Sequence, residues 1–143
     1  MAANTVADVL GLGMGGALLP MSLMSVIEKG LPLAALDRLA KAVAPDDAAF
    51  SFRMVPRATL ARRRKAPAMA RLSADESARV ARLAEVWALA RDVWGSDEAA
   101  RAFLFRPHPM LDGRRPIDVV LANEFGRPLV EGILGGLQYG SAA

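Results

Sequence analysis

Residues 72–95, LSADESARVARLAEVWALARDVWG, decide the fold of this chain. Ser73 and Glu76 stand three apart, the spacing at which a Ser hydroxyl and a Glu carboxylate each accept the other residue's backbone N–H. At the far end Gly95 sits just past the last apolar residue, where a left-handed stop favours glycine. Between these signals Val80, Leu83, Trp87, Ala90 and Trp94 step by three and four, which aligns them along one side of a helix. The spacing predicts one long helix with a packing seam that carries both tryptophans.

The segments on the N-terminal side carry the same period. From Leu33 to Val43 the apolar residues Leu33, Leu36, Leu39, Ala40 and Val43 oppose Asp37, Arg38 and Lys41, an amphipathic helix that Pro32 can precede without losing a hydrogen bond. Pro20 and Ser22 can open an earlier helix through Leu23, Met24 and Ile27, which Gly30 closes. Residues 1–20, with four glycines at positions 11, 13, 15 and 16, read as a flexible arm. Residues 9–27 hold no charge, yet neither a signal peptide nor a membrane span is expected. The only charge before them is Asp8, and the glycines and Pro20 weaken a spanning helix.

Toward the C-terminus, Ser96-Asp97-Glu98 opens a helix carrying Ala99, Ala102, Phe103 and Leu104. Pro107-His108-Pro109 enforces an extended turn. Pro116 starts a helix through Ile117, Val120 and Leu121, Asn123 to Gly126 form a break, and Pro128 begins a last helix with Val130, Ile133, Leu134 and Leu137. No alternating β pattern of useful length occurs. The expected fold is all-α, organised as an arm over residues 1–20, a helix-turn-helix domain over 21–71 and a helical partner-binding domain over 72–143.

Composition narrows the function. The 143 residues exclude barrels of ~250 residues, and 53% hydrophobic against 23% charged residues supply a real core, which argues against wholesale disorder. With no cysteine and a single histidine, thiolate metal sites, iron–sulfur clusters and cysteine nucleophiles fall away, and neither a metal nor a cofactor is expected. The absence of cysteine fits a reducing cytoplasm. His108 lacks a nearby serine, its flanking prolines suit a structural turn, and the carboxylates are scattered. Gly11-Leu12-Gly13-Met14-Gly15-Gly16 has neither the preceding strand nor the following lysine of a phosphate loop. No catalytic constellation is visible, and an enzyme is not expected.

Charge is local. Although the net charge is only +3, Arg53, Arg57, Arg62, Arg63, Arg64, Lys65 and Arg71 fall in one stretch that contains no acidic residue. Such a segment suits a polyanion, or else a solvated charged loop. The two short segments around Met54-Val55-Pro56 have the length of a helix-turn-helix, whose second helix presents its early residues to base edges in the major groove. On that reading Arg57 pairs with guanine, Thr59 meets a base or a phosphate, and Arg62, Arg63, Arg64 and Lys65 suit phosphates. Three consecutive arginines point in different directions, so one of them pairs with an acidic neighbour instead.

The C-terminal half, from Ala81-Arg82-Leu83-Ala84-Glu85-Val86-Trp87 through Val93-Trp94-Gly95-Ser96-Asp97-Glu98 to Leu111-Asp112-Gly113-Arg114-Arg115-Pro116 and Leu137-Gln138-Tyr139-Gly140, resembles the Xre/MbcA/ParS-like antitoxins. Glu28-Lys29-Gly30-Leu31-Pro32, Thr59-Leu60-Ala61-Arg62-Arg63 and Leu72-Ser73-Ala74-Asp75-Glu76-Ser77 are similar to that family's N-terminal domain. The resemblance covers roughly residues 20 to 140. It implies a type II antitoxin that covers the active site of a RES-domain, NAD-consuming toxin and binds its own operon DNA as an autorepressor. By matching position, Leu111, Gly113, Arg114, Pro116, Gln138, Tyr139 and Gly140 would face the toxin. Family members commonly form homodimers, and the seam of the long helix is the candidate contact.

One departure from the pattern stands out. Helix-turn-helix segments usually place glycine in the turn and Ser or Thr at the cap, where this chain has Met54 and Pro56. The competing reading is a stand-alone helix-turn-helix transcription regulator with no toxin partner.

Overall fold

The computed structural model describes residues 5–12, 20–66 and 70–138. Every regular element among them is helical, and the one β-bridge is the isolated pair Pro32–Arg71. The chain forms two compact units that meet in sequence between Ala81 and Arg82.

The first unit begins with α1 (Val6–Leu10), inside the stretch expected to be a flexible arm. Over residues 5–12 that expectation fails, for a local reason. Thr5 and Asp8 form a capping box, Gly11 ends the helix at φ 66°, and Ala7, Val9 and Leu10 are buried where α1 packs on α3. The glycine run at 13–16 lies outside the described residues.

Helices α2 (Pro20–Lys29) and α3 (Leu33–Val43) follow as the periodicity predicts. Leu36, Leu39 and Val43 are fully buried. Their junction is clamped to the start of the long helix. The Leu72 N–H donates to the Leu31 carbonyl at 2.8 Å, Arg71 donates to the Gly30 carbonyl at 3.0 Å, and the Leu31 N–H donates to the Ser77 hydroxyl at 2.8 Å. Gly30 is obligatory here. It adopts φ 95°, and a Cβ on it would lie 2.2 Å from the Leu72 carbonyl oxygen.

The expected first helix of the helix-turn-helix is reduced to a 3₁₀ turn, Phe50–Arg53, before α4 (Arg57–Arg64). Between them Met54 and Val55 are buried, and Met54 keeps φ −106°. A glycine is unnecessary because the chain never turns left-handed at this point. The turn is held by apolar burial and by Arg79, which donates to the Met54 carbonyl at 2.7 Å.

Helix α5 (Ala74–Trp94) starts with the predicted box: the Ser73 N–H donates to Glu76 and the Glu76 N–H to Ser73. Because Glu76, Ser77 and Arg79 all bind back to the N-terminal segments, its first two turns belong to the first unit. The division therefore falls some ten residues beyond the boundary expected at 71.

The second unit holds the rest of α5, then α6 (Asp97–Phe105), a 3₁₀ turn at Pro109–Leu111, α7 (Pro116–Ala122) and α8 (Gly126–Gln138). Ser96 caps α6 and Gly95 adopts φ 82°, as predicted. Leu83, Ala90, Leu104, Ile117, Val120, Val130 and Leu134 form its interior. Helix α7 packs on α8 so tightly that a Cβ on Gly126 would lie 1.8 Å from the Val119 carbonyl oxygen. Arg82 closes the end of α7 by donating to the Val120 carbonyl at 2.8 Å.

The seam of α5 is internal. Val80, Leu83, Trp87 and Ala90 are buried within the chain, so they are not available to a second copy, and only Trp94 is exposed, at 42%.

Candidate functional site

The first candidate surface is built on α4. Successive helical residues turn by about 100°, so Arg57, Ala58, Ala61, Arg62 and Lys65 fall on one side, while Thr59, Leu60 and Arg63 fall on the other. Burial agrees: the first five are exposed, Leu60 is buried, and Thr59 and Arg63 are half-buried. Thr59, expected to meet a base or a phosphate, is thus half-buried on the side of Leu60.

The six DNA-contact candidates divide by partner. Arg63 donates to Glu76 of α5, and Arg64 donates to both carboxylate oxygens of Asp37 in α3, at 2.6 and 3.0 Å. The single acidic pairing expected among the arginines is therefore two. Both carboxylates lie more than ten positions away in sequence, so only the packing of α4 between α3 and α5 brings them to the arginines. Arg62 and Lys65 have no such partner among the described residues. Arg57 is different again: its guanidinium carbon stands 4.4 Å from the centre of the Phe52 ring, a cation–π contact. Its N–H donors make no hydrogen bond or ion pair among the described residues. Ala48, Ser51, Phe52, Arg57, Leu60, Ala61 and Arg64 line a groove of about 450 Å³ beside it.

Electrostatics follow the same division. Burial would raise the Glu76 carboxyl, but hydrogen bonds from Arg63 and Ser73 and the Arg63 charge outweigh it, and the pKa lies below the ordinary value. Hydrogen bonding to Asp37 holds Arg64 more firmly protonated still. The pairs neutralise Arg63 and Arg64 locally. The positive field on the outward side of α4 comes from Arg57, Arg62 and Lys65.

The second candidate surface lies in the C-terminal unit. Of the positions expected to face a partner, Gly113, Arg114 and Gln138 are exposed, whereas Leu111 and Pro116 are buried and shape the turn. Tyr139 and Gly140 lie outside the described residues. The turn is built from its own backbone: His108 and Arg114 pair through N–H and carbonyl at 3.0 Å, and Asp112 and Gly113 adopt φ 55° and 79°. His108 Nδ1 accepts the Met110 N–H at 3.1 Å, which supports the structural reading of this histidine.

Three exposed apolar side chains are not among the candidates that the sequence offers, and a fourth, Trp94, is expected there on the packing seam. Met110, Phe125 and Leu129 are 62%, 77% and 59% exposed, and Trp94 sits beside a pocket of about 270 Å³ walled by Ala102, Phe103, His108 and Leu137. The available signal was negative: Phe125, in the turn before α8, and Leu129 lie off the Val130–Ile133–Leu134–Leu137 seam. Among the described residues no group of His, Asp and Glu could hold a metal ion, and no helix is long and apolar enough to cross a membrane.

These two surfaces, one basic and helical and one apolar on a separate helical unit, are the arrangement expected of a helix-turn-helix protein with a second, partner-binding module. Residues 22–85 match the family model described as the antitoxin Xre-like helix-turn-helix domain, and residues 89–140 match the antitoxin Xre/MbcA/ParS C-terminal toxin-binding domain. Together they span most of the chain, which belongs to the Xre/MbcA/ParS-type antitoxins. No curated protein matches it.

Proposed function

We propose that this chain is a type II antitoxin acting in the cytoplasm, which neutralises a RES-domain, NAD-consuming toxin by covering its active site and represses its own operon as a homodimer. The observation that carries the reading is the tandem of a helix-turn-helix unit and a toxin-binding unit in one chain. The outward cations of α4 support operator binding, since Arg57, Arg62 and Lys65 suit phosphates and base edges. Exposed aromatic and aliphatic side chains support protein binding, because a few such anchors carry most of the energy of an interface. On this reading Gly113, Arg114, Gln138, Tyr139 and Gly140 meet the toxin, Phe125 and Leu129 add apolar contact, and Leu111 and Pro116 hold the turn.

The test is truncation. Deleting Gln138 to Ala143 should abolish neutralisation of the co-expressed toxin while DNA retention stays intact. A truncated chain that still neutralises the toxin would refute the assignment of the C-terminal end.

A further inference from the structure

Resting on the DNA-binding reading, we propose that Phe52 is a positioning residue that makes Arg57 the base-discriminating side chain of this protein. The cations of α4 differ in what each has left to offer. A guanidinium reads guanine through two parallel N–H donors on one edge, and a Lys ammonium cannot form that fork. Lys65 is excluded on this ground. Arg63 and Arg64 spend their donors on Glu76 and Asp37. Arg62 keeps its donors, but no ring or carboxylate among the described residues orients it, which suits a phosphate contact.

Among the described cations of α4, Arg57 alone combines orientation with open donors. The cation–π contact with the Phe52 ring occupies no hydrogen-bond acceptor, and the Arg57 N–H donors have no hydrogen-bond partner among the described residues. It also sits at the first position of α4, where a recognition helix presents base contacts. The source of the ring is informative. Phe52 belongs to the 3₁₀ turn that replaces the first helix, and Pro56 offers no side-chain cap to α4. The contact therefore links the turn to the first residue of α4. Holding one long side chain in place before binding is worth roughly three- to tenfold in affinity, and here it accrues only where the correct base is met.

The experiment uses the full chain and duplexes selected from a random-core DNA library, compared with scrambled duplexes of equal length. Phe52→Leu should lower the selected-to-scrambled affinity ratio roughly three- to tenfold while leaving scrambled binding and its salt slope unchanged. Phe52→Tyr, which keeps the ring, should retain the wild-type ratio. In an Arg57→Ala background, itself of reduced discrimination, Phe52→Leu should have no further effect. A thermal melt of Phe52→Leu separates this from misfolding, which would weaken both duplexes equally. Equal loss on both duplexes, persistence of the effect without Arg57, or failure of Phe52→Tyr to rescue would overturn the proposal. Absence of any DNA binding by the wild type, even at low salt, would instead overturn the reading on which it rests.

Discussion

Arg63 and Ser73 converge on one oxygen: Oε1 of Glu76 accepts both the Arg63 guanidinium and the Ser73 backbone N–H. The same carboxylate therefore caps α5 and anchors α4 against it. This pairing is partly shielded, with side chains 23% and 13% exposed, so solvent screens it less than a surface ion pair.

Replacing Glu76 by Ala removes both roles and should cost about 1–2 kcal/mol in chemical denaturation. Glu76→Gln keeps an acceptor for the cap and loses only the charge, which isolates the pH effect. A carboxylate whose folded pKa is depressed adds stability above its unfolded value, near pH ~4.3, and loses it as pH falls through the folded value. Melting temperatures should accordingly fall on acidification below that point, and fall less in the Gln variant.

Glu131 should show the opposite sign. Burial raises its pKa, and the neighbouring Glu85 charge adds to this against the opposing Arg127. Its ionisation then costs stability, fully so above the folded pKa and not at all below the unfolded one. Glu131→Gln should raise the melting temperature at pH 7 relative to wild type and lose that advantage near pH 4. An advantage that is independent of pH would contradict this account.

Ser77 is the one fully buried polar side chain among the described residues, and it satisfies the Leu31 N–H. Ser77→Ala would strand that donor without water, at about 1–3 kcal/mol. Amide hydrogen exchange at Leu31 should accelerate along with the loss of global stability.

Salt titrations should sort the arginines. Arg62→Ala and Lys65→Ala should each reduce the slope of log affinity against log salt by about 1, as one phosphate contact is lost. Arg63→Ala should act mainly on stability. Arg64 pairs with Asp37 in the open, at 44% and 48% exposure, so its loss should change stability little.

Gly126→Ala places a methyl against the Val119 carbonyl, where α7 and α8 have no room to give. Helix separation should cost about 1–3 kcal/mol and weaken toxin binding. The Trp fluorescence of the C-terminal unit reports it.

Much of the architecture was legible because helical period and caps are local. Ser73 with Glu76, Ser96 before α6, Gly95 at its left-handed stop and the Leu33–Val43 stripe all stand where the sequence alone places them, each set by residues three or four apart. Thr5 with Asp8 carried the same kind of signal, but the glycines that follow it obscured a short helix. The site was less legible. Nothing local in the Arg62-Arg63-Arg64 run distinguishes its members, since exposure and pairing depend on which side of α4 faces α3 and α5.

All-α character, the limits of the long helix, the absence of cysteine and the family resemblance were thus determined by the sequence itself, through short-range spacing and side-chain chemistry. Tertiary structure decided which cations are spent on Glu76 and Asp37 and which seam residues are hidden. The reason is physical: partners far apart in sequence meet only through packing, and hydrophobic burial constrains the direction of a helix face without encoding it in any one segment.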